Sequence, residues 1–335
     1  MVTIIGGGIA GTVLAGALAT HGHSVNLYER QPGAQGGAFL VLDGRAHDAL
    51  EALGVPSDRL HAASHLVTAL QAHFPPTSGR TLASNGRRLY YRADLSRVLT
   101  EFARGTSAQL HYDTAITDLN PDTGQLFSGR ETIAAAGPII GADGTDSLTR
   151  SRIEPRRAEY AGQMVVYGTT VRPVHLDSES SIMHFHGGSS AGPVASPAFG
   201  HFWNDSVAVW FARLTRPAGT AVELGLHPVS ALADRIRETA PDAADLIDEL
   251  LAATDTVHAL NARNVPLAEA RPPRDSIVLC GDADHAVSPA AGIGARDAIE
   301  DAQAIHDAIL AGTSPADAMA ERRRQILAER GRIRT

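Results

Sequence analysis

Val2-Thr3-Ile4-Ile5-Gly6-Gly7-Gly8-Ile9-Ala10-Gly11, at the start of the chain, is a short apolar run that meets closely spaced glycines. Val2 to Ile5 is long enough for a buried strand. It runs into Gly6-x-Gly8-x-x-Gly11, after which Val13, Leu14, Ala17 and Leu18 keep helical spacing up to a stop at Gly22. Ser24-Val25-Asn26-Leu27-Tyr28-Glu29 then reads as a second strand. Strand, helix and strand in this order make a β-α-β unit, the building block of parallel sheets. Gly6 permits the tight turn, Gly8 lets the backbone approach a pyrophosphate, and Gly11 allows the helix to press on the strand. Ile9 and Ala10 start the helix, whose unpaired N–H groups face the anion. Glu29 ends the second strand, where a carboxylate can accept hydrogen bonds from an adenosine ribose and would repel a 2′-phosphate. Arg30 beside it is assigned to the same site. The motif points to a dinucleotide but does not separate FAD from NAD.

A chain of 335 residues that is 44% hydrophobic is enough for one or two domains with a real core. The net charge of −8 gives no general attraction for nucleic acid or an anionic membrane surface. One cysteine, Cys280, excludes an intramolecular disulfide and a cysteine-rich metal cluster and suits a reducing, cytoplasmic setting. With no apolar run of about 20 residues, no stable membrane insertion is expected. The first strand begins without a charged leader, so no signal segment is expected either.

Residues 31–42 are glycine-rich and read as a loop; 44–53 and 93–103 read as helices, and 108–141 as short strands ending at Ile139-Ile140. After about residue 155 the character changes. Residues 163–213 alternate like antiparallel strands, and 229–239 and 242–252 read as helices separated by Pro241. The first pattern then returns, with a strand at 276–280 meeting Gly281-Asp282 and a helix over about 294–310. A last helix covers 315–330, and its Arg322-Arg323-Arg324 reads as solvated surface. The fold expected is α/β: a Rossmann-like domain made of 1–155 and 262–335, with an antiparallel-sheet substrate domain, 156–261, inserted in it.

Two further segments carry a resemblance. One is Gly141-Ala142-Asp143-Gly144-Thr145-Asp146-Ser147-Leu148-Thr149-Arg150; the other is Gly281-Asp282-Ala283-Asp284-His285, continuing through Pro289, Gly292, Ile293 and Gly294. With the fingerprint, and with Arg92 ahead of Leu95 and Leu99, they stand in the order found in class A flavoprotein monooxygenases, which the sequence resembles. The resemblance implies FAD in the Rossmann-like domain. Asp143 and Gly144 would contact it, Asp282 would hold the ribityl chain, and Gly281 with the loop from Pro289 to Gly294 would lie beside pyrophosphate or isoalloxazine. Arg92 would stand near the same cofactor. Three positions depart from the family pattern: Asp284 where alanine is usual, Ile293 where glutamine is common, and Arg296 where a small or amide residue is frequent. Asp284 and Arg296 could pair with each other.

The resemblance also implies a reaction. NADPH or NADH, bound transiently, reduces FAD, O2 forms a C4a-hydroperoxyflavin, and one oxygen passes to a small aromatic or polyketide-like substrate by hydroxylation or epoxidation. Alternatively, reduced flavin arrives from a partner flavin reductase. The chain has room for no third domain on this reading, which suggests a compact natural-product enzyme. Pocket candidates are His184, His186, His201, Trp203 and Trp210, with Phe185, Phe199, Phe202 and Phe211 on the floor. No catalytic base is assigned. His184 and His186 share one strand face, but spacing supplies no third ligand, so no metal is expected. A reductase or dehydrogenase without oxygen insertion, and a non-catalytic flavin- or ligand-binding protein, are the alternative readings.

Overall fold

The computed structural model describes residues 1–33, 38–73, 79–135, 137–187, 198–289 and 292–333. Among these, five parallel strands form one sheet in the order Ile277–Leu279, Ile139–Gly141, Val2–Ile5, Val25–Tyr28 and Gln109–His111. The central strand is buried along its whole length, as expected when both faces of a parallel sheet are covered. Helix Ile9–Thr20 is apolar almost all round because it is enclosed by the sheet and by helices Arg92–Arg104 and Gly294–Leu310. Its Gly16 is required there: a Cβ would come within 2.6 Å of the Phe102 ring.

The second large sheet has eight strands in the order Gly225–Pro228, Thr256–Asn264, Glu159–Thr169, Ala208–Thr215, Phe199–Trp203, Ile182–His186, Ala69–Ala72 and Arg80–Ala83. All neighbours are antiparallel except Ile182–His186 with Ala69–Ala72. The Rossmann-like fold with an antiparallel sheet set into it is therefore as expected, but the sheet draws two strands from outside 156–261. Residues 65–91, short and weakly alternating, carry no clear strand signal of their own.

Two other segments differ from expectation. Phe39–Leu42, expected as loop, is a strand paired with Arg88–Tyr91; Phe39 and Leu42 are buried by tertiary packing that no local pattern announces. Residues 34–37 of the same expected loop lie outside the described residues. The helices expected at 229–239 and 242–252 are shorter α-helices, Ala233–Arg237 and Ala244–Ala252, each preceded by a 3-10 turn. Among the described residues no helix is long and apolar enough to cross a membrane.

Candidate active site

The carboxyl ends of the parallel strands open into a cleft of about 270 Å³, the place where open α/β sheets bind ligands. Gly6, Gly8, Ile9, Glu29, Arg30, Arg92, Asp143 and Gly144 all line it. Ala10 and Gly11 lie buried beneath. Gly6 has φ +106°, and a Cβ there would lie 2.3 Å from the Ala142 carbonyl oxygen; on Gly11 it would lie 1.9 Å from that of Gly6. Those two glycines answer to the fold. Gly8 does not. Its φ of −73° and ψ of −167° are open to any residue, and a Cβ built on it meets nothing within 4 Å. The backbone there forms a cradle that a side chain would fill, which fits a pyrophosphate drawn up against it. Glu29 accepts hydrogen bonds from the Gly7 N–H at 2.6 Å and the Gln31 N–H at 2.8 Å. One lone pair on each oxygen is used, leaving acceptor capacity for ribose hydroxyls.

Asp143 and Asp282 part company. The Asp143 carboxylate is filled by its own turn: it accepts from Ser147 Oγ at 2.5 Å and from Thr149 N–H at 2.9 Å and Oγ at 3.1 Å. It shapes the cleft wall and steadies the first turn of helix Leu148–Ile153, whose N-cap is Ser147. Asp282 is exposed and receives the Thr145 hydroxyl at 3.4 Å, which joins the two motif segments. Gly281, at φ +62°, turns the chain over Ala298 and Ala10 to reach it. The start of helix Gly294–Leu310 stands beside its carboxylate, with Ile293 at the N-cap and Gly292 at φ +64° in the preceding turn. Pro289 accepts the Gly292 N–H at 3.0 Å; residues 290–291 lie outside the described residues.

The eight-stranded sheet has two unlike faces, and cross-strand register sorts its side chains. His184, His201 and Trp210 lie opposite one another in turn, and Phe199 and Trp203 share their face. That face packs on Ile236, Ile247, Leu250 and Leu251 of the covering helices. The other face carries Tyr167, Phe185, Phe202, Phe211, Arg213 and His258. It packs on the strands that lead into Arg92, with Phe39 edge-on to Tyr167 at 5.6 Å. Tyr167 is pushed up to about 12 by burial, against the pull of Arg92 and Arg213. Burial lowers His258 too, helped by Arg92. So the five pocket candidates His184, His186, His201, Trp203 and Trp210 are on the helix-covered face, away from Arg92. Alternation separates the two faces of a strand; which one meets the cleft is set by how the sheet docks.

A model of the FAD binding domain family matches residues 1–318. The chain belongs to the class A FAD-dependent monooxygenases. Kynurenine 3-monooxygenase of Salinispora tropica is 27% identical, over 95% of this chain and 74% of that protein. 3-Amino-4-hydroxybenzoate 2-monooxygenase of Streptomyces cremeus is also 27% identical, over 90% and 76%. Among solved structures, CtdE in complex with FAD and a substrate superposes with a TM-score of 0.78 at 16% identity, over 99% of this chain and 86% of that one. The tetrameric 2-methyl-3-hydroxypyridine-5-carboxylic acid oxygenase gives 0.74 at 21%, over 96% and 85%.

Several residues that shape this monooxygenase carry no motif. Tyr112, Thr114 and Ile116 line the cleft from the segment after strand Gln109–His111. Their one sequence signal is position, just past the end of a parallel strand. Asp284 and Arg296, which could have paired, do not: Asp284 binds Arg156 and Arg323, and Arg296 binds Asp43, Asp297 and Glu329. Nor is the triple arginine all solvated surface. Arg322 is buried against Asp301 and Glu300 and Arg323 reaches Asp284, while Arg324 alone stays outside with Glu321. His285 is also buried, 2.6 Å from Asp301. Burial opposes its charge, but Asp301 and Asp284 outweigh that and raise its pKa.

The histidines on the far face form a stack. His73 lies 4.5 Å from His186, and His184 lies 4.8 Å from His201, with planes within 10° of parallel. Among the described residues no group of three or more metal-holding ligands is found. Burial first, then mutual repulsion, lowers His186 to about 4 and holds His201 well below its ordinary value. Unfolding frees these rings to protonate at their ordinary value near 6.5. Their contribution to stability is therefore complete above pH 6.5 and is lost as pH falls toward 4. The melting temperature should drop through that window, and the drop should be smaller in His186→Phe. An equal drop in both proteins would remove the stack as its cause.

Proposed function

We propose that this monooxygenase uses NADPH or NADH and O2 to hydroxylate or epoxidise a small aromatic or polyketide-like substrate. When bound, FAD supplies the redox chemistry, accepting a hydride and activating O2. The observation that carries the reading is the open cradle at Gly8, at the head of a cleft that Arg92 also lines, with Arg92 in turn beside an aromatic sheet face. Residues 1–155 and 262–335 would carry the cofactor and 156–261 most of the substrate side. In this reading the N–H groups from Gly8 to Gly11 hold the pyrophosphate, Glu29 the ribose and Asp282 the ribityl hydroxyls, with Arg30 and Arg92 as counter-charges. The nicotinamide docks transiently across the same cleft, in preference to reduced flavin handed over by a separate flavin reductase.

Substrate would lie on the face bearing Tyr167, Phe211, Arg213 and His258. Tyr167 keeps its proton at neutral pH and can donate a hydrogen bond but not act as a base. Arg213 is buried on the same face, and desolvation pushes it down to about 10. Relatives named for kynurenine and for 3-amino-4-hydroxybenzoate support an aromatic substrate.

The test is oxygen uptake with NADPH or NADH across a panel of amino- and hydroxy-aromatic acids. Substrate-dependent uptake should accompany a product heavier by one oxygen atom. A product changed only in hydrogen content would make the protein a reductase or dehydrogenase. Reduction by neither nucleotide, with reduction by an added flavin reductase, would replace the transient-docking arrangement.

A further inference from the structure

The four-residue helix Asp282–His285 is gripped by arginines from two directions. Its last three carbonyls, normally orphaned at a helix end, each receive a different guanidinium. Arg150 donates to Ala283 O at 2.8 Å, Arg156 to Asp284 O at 2.9 Å, and Arg330 to His285 O at 3.0 Å. The Asp284 carboxylate, fully buried, accepts from Arg156 at 3.0 Å and from both Nε and Nη2 of Arg323, at 2.8 and 2.6 Å. A buried carboxylate is costly unless paired, and here it is paired twice. Arg150 and Arg156 come from the segment after strand Ile139–Gly141; Arg323 and Arg330 come from the C-terminal helix Pro315–Ile333. The exposed carboxylate of Asp282 thus rides on a turn clamped between those two elements.

We propose that Arg323 and Arg330 are positioning residues for the flavin, which make the C-terminal helix part of the cofactor site by holding Asp284 and His285 behind Asp282. The proposal rests on the role given above to Asp282. Coupling of this kind is reciprocal: if the helix holds the turn for the cofactor, the cofactor must tighten the helix.

Hydrogen exchange on the full chain, with and without FAD, tests this in the wild-type protein. Amides of 315–333 should exchange more slowly with FAD bound, while those of 244–252, on the far face of the other sheet, should not change. Slowing confined to the cleft, with 315–333 unaffected, would overturn the proposal and leave the flavin reading intact. A chain that takes up no FAD would overturn both. Arg323→Gln should raise the Kd for FAD about tenfold, a coupling of ordinary size between linked sites. Arg323→Lys should recover part of that, and Arg324→Gln should change nothing. A purely structural arginine would lower the melting temperature and leave FAD affinity and the flavin spectrum unaltered; that result in Arg323→Gln would overturn the proposal.

Discussion

Gly8→Val is expected to yield a folded, colourless protein. The backbone at Gly8 lies in a region any residue can adopt, and a Cβ there meets no protein atom within 4 Å. Valine is a poorer N-cap than glycine, so about 1 kcal/mol of helix stability is lost and no more. The added side chain does occupy the space through which a pyrophosphate would approach the helix N-terminus. Each 1.4 kcal/mol of lost contact is tenfold in Kd, so steric exclusion should weaken FAD binding by about a hundredfold or more. The same change at Gly6 or Gly11 would instead collide with backbone and damage the fold. A Gly8→Val protein with full FAD content would show that the glycine serves something else.

The second large effect is on stability. Trp210→Ala should cost about 3–5 kcal/mol, the range for deleting a buried aromatic side chain. Trp210 is fully buried, stacks on Phe199 at 5.9 Å and donates from Nε1 to Thr254 Oγ at 3.1 Å. It also fills the space over Gly168, where a Cβ would lie 2.2 Å from the indole. Urea unfolding measures the loss. The protein that remains folded should bind FAD and substrate as before, because this face looks at the covering helices. A small stability change with a large rise in KM would return Trp210 to the substrate side.

What was legible in the sequence follows from the range of the forces involved. The fingerprint, Glu29 and the strand before Gly281 are local patterns, and each lies where its spacing places it. The residues proposed for the cofactor at the ends of parallel strands, Gly6, Glu29 and Asp143 among them, line one cleft because parallel strands end on the same edge of their sheet. The aromatic residues of 182–211 were legible as strand residues but not as pocket or core. Phe185 and Trp203 look alike in a sequence, and only docking of the sheet against the strands before Arg92 tells them apart. Arg322 and Arg323 carry the same lesson. On a helix wheel they are surface charges, and they become interior ones because Asp301 and Asp284, distant in sequence, are buried beneath them. Strand Phe39–Leu42 carries no local signal for a related reason: its glycine-rich approach reads as loop, and its partner lies at Arg88–Tyr91.

The most direct measurement is the visible absorbance spectrum of the purified chain, supplied with FAD if needed, before and after anaerobic NADPH or NADH. The two bands of oxidised flavin should be present, should bleach with the nucleotide, and should return when O2 is admitted. A protein that stays colourless and takes up no added FAD would contradict the account at its centre.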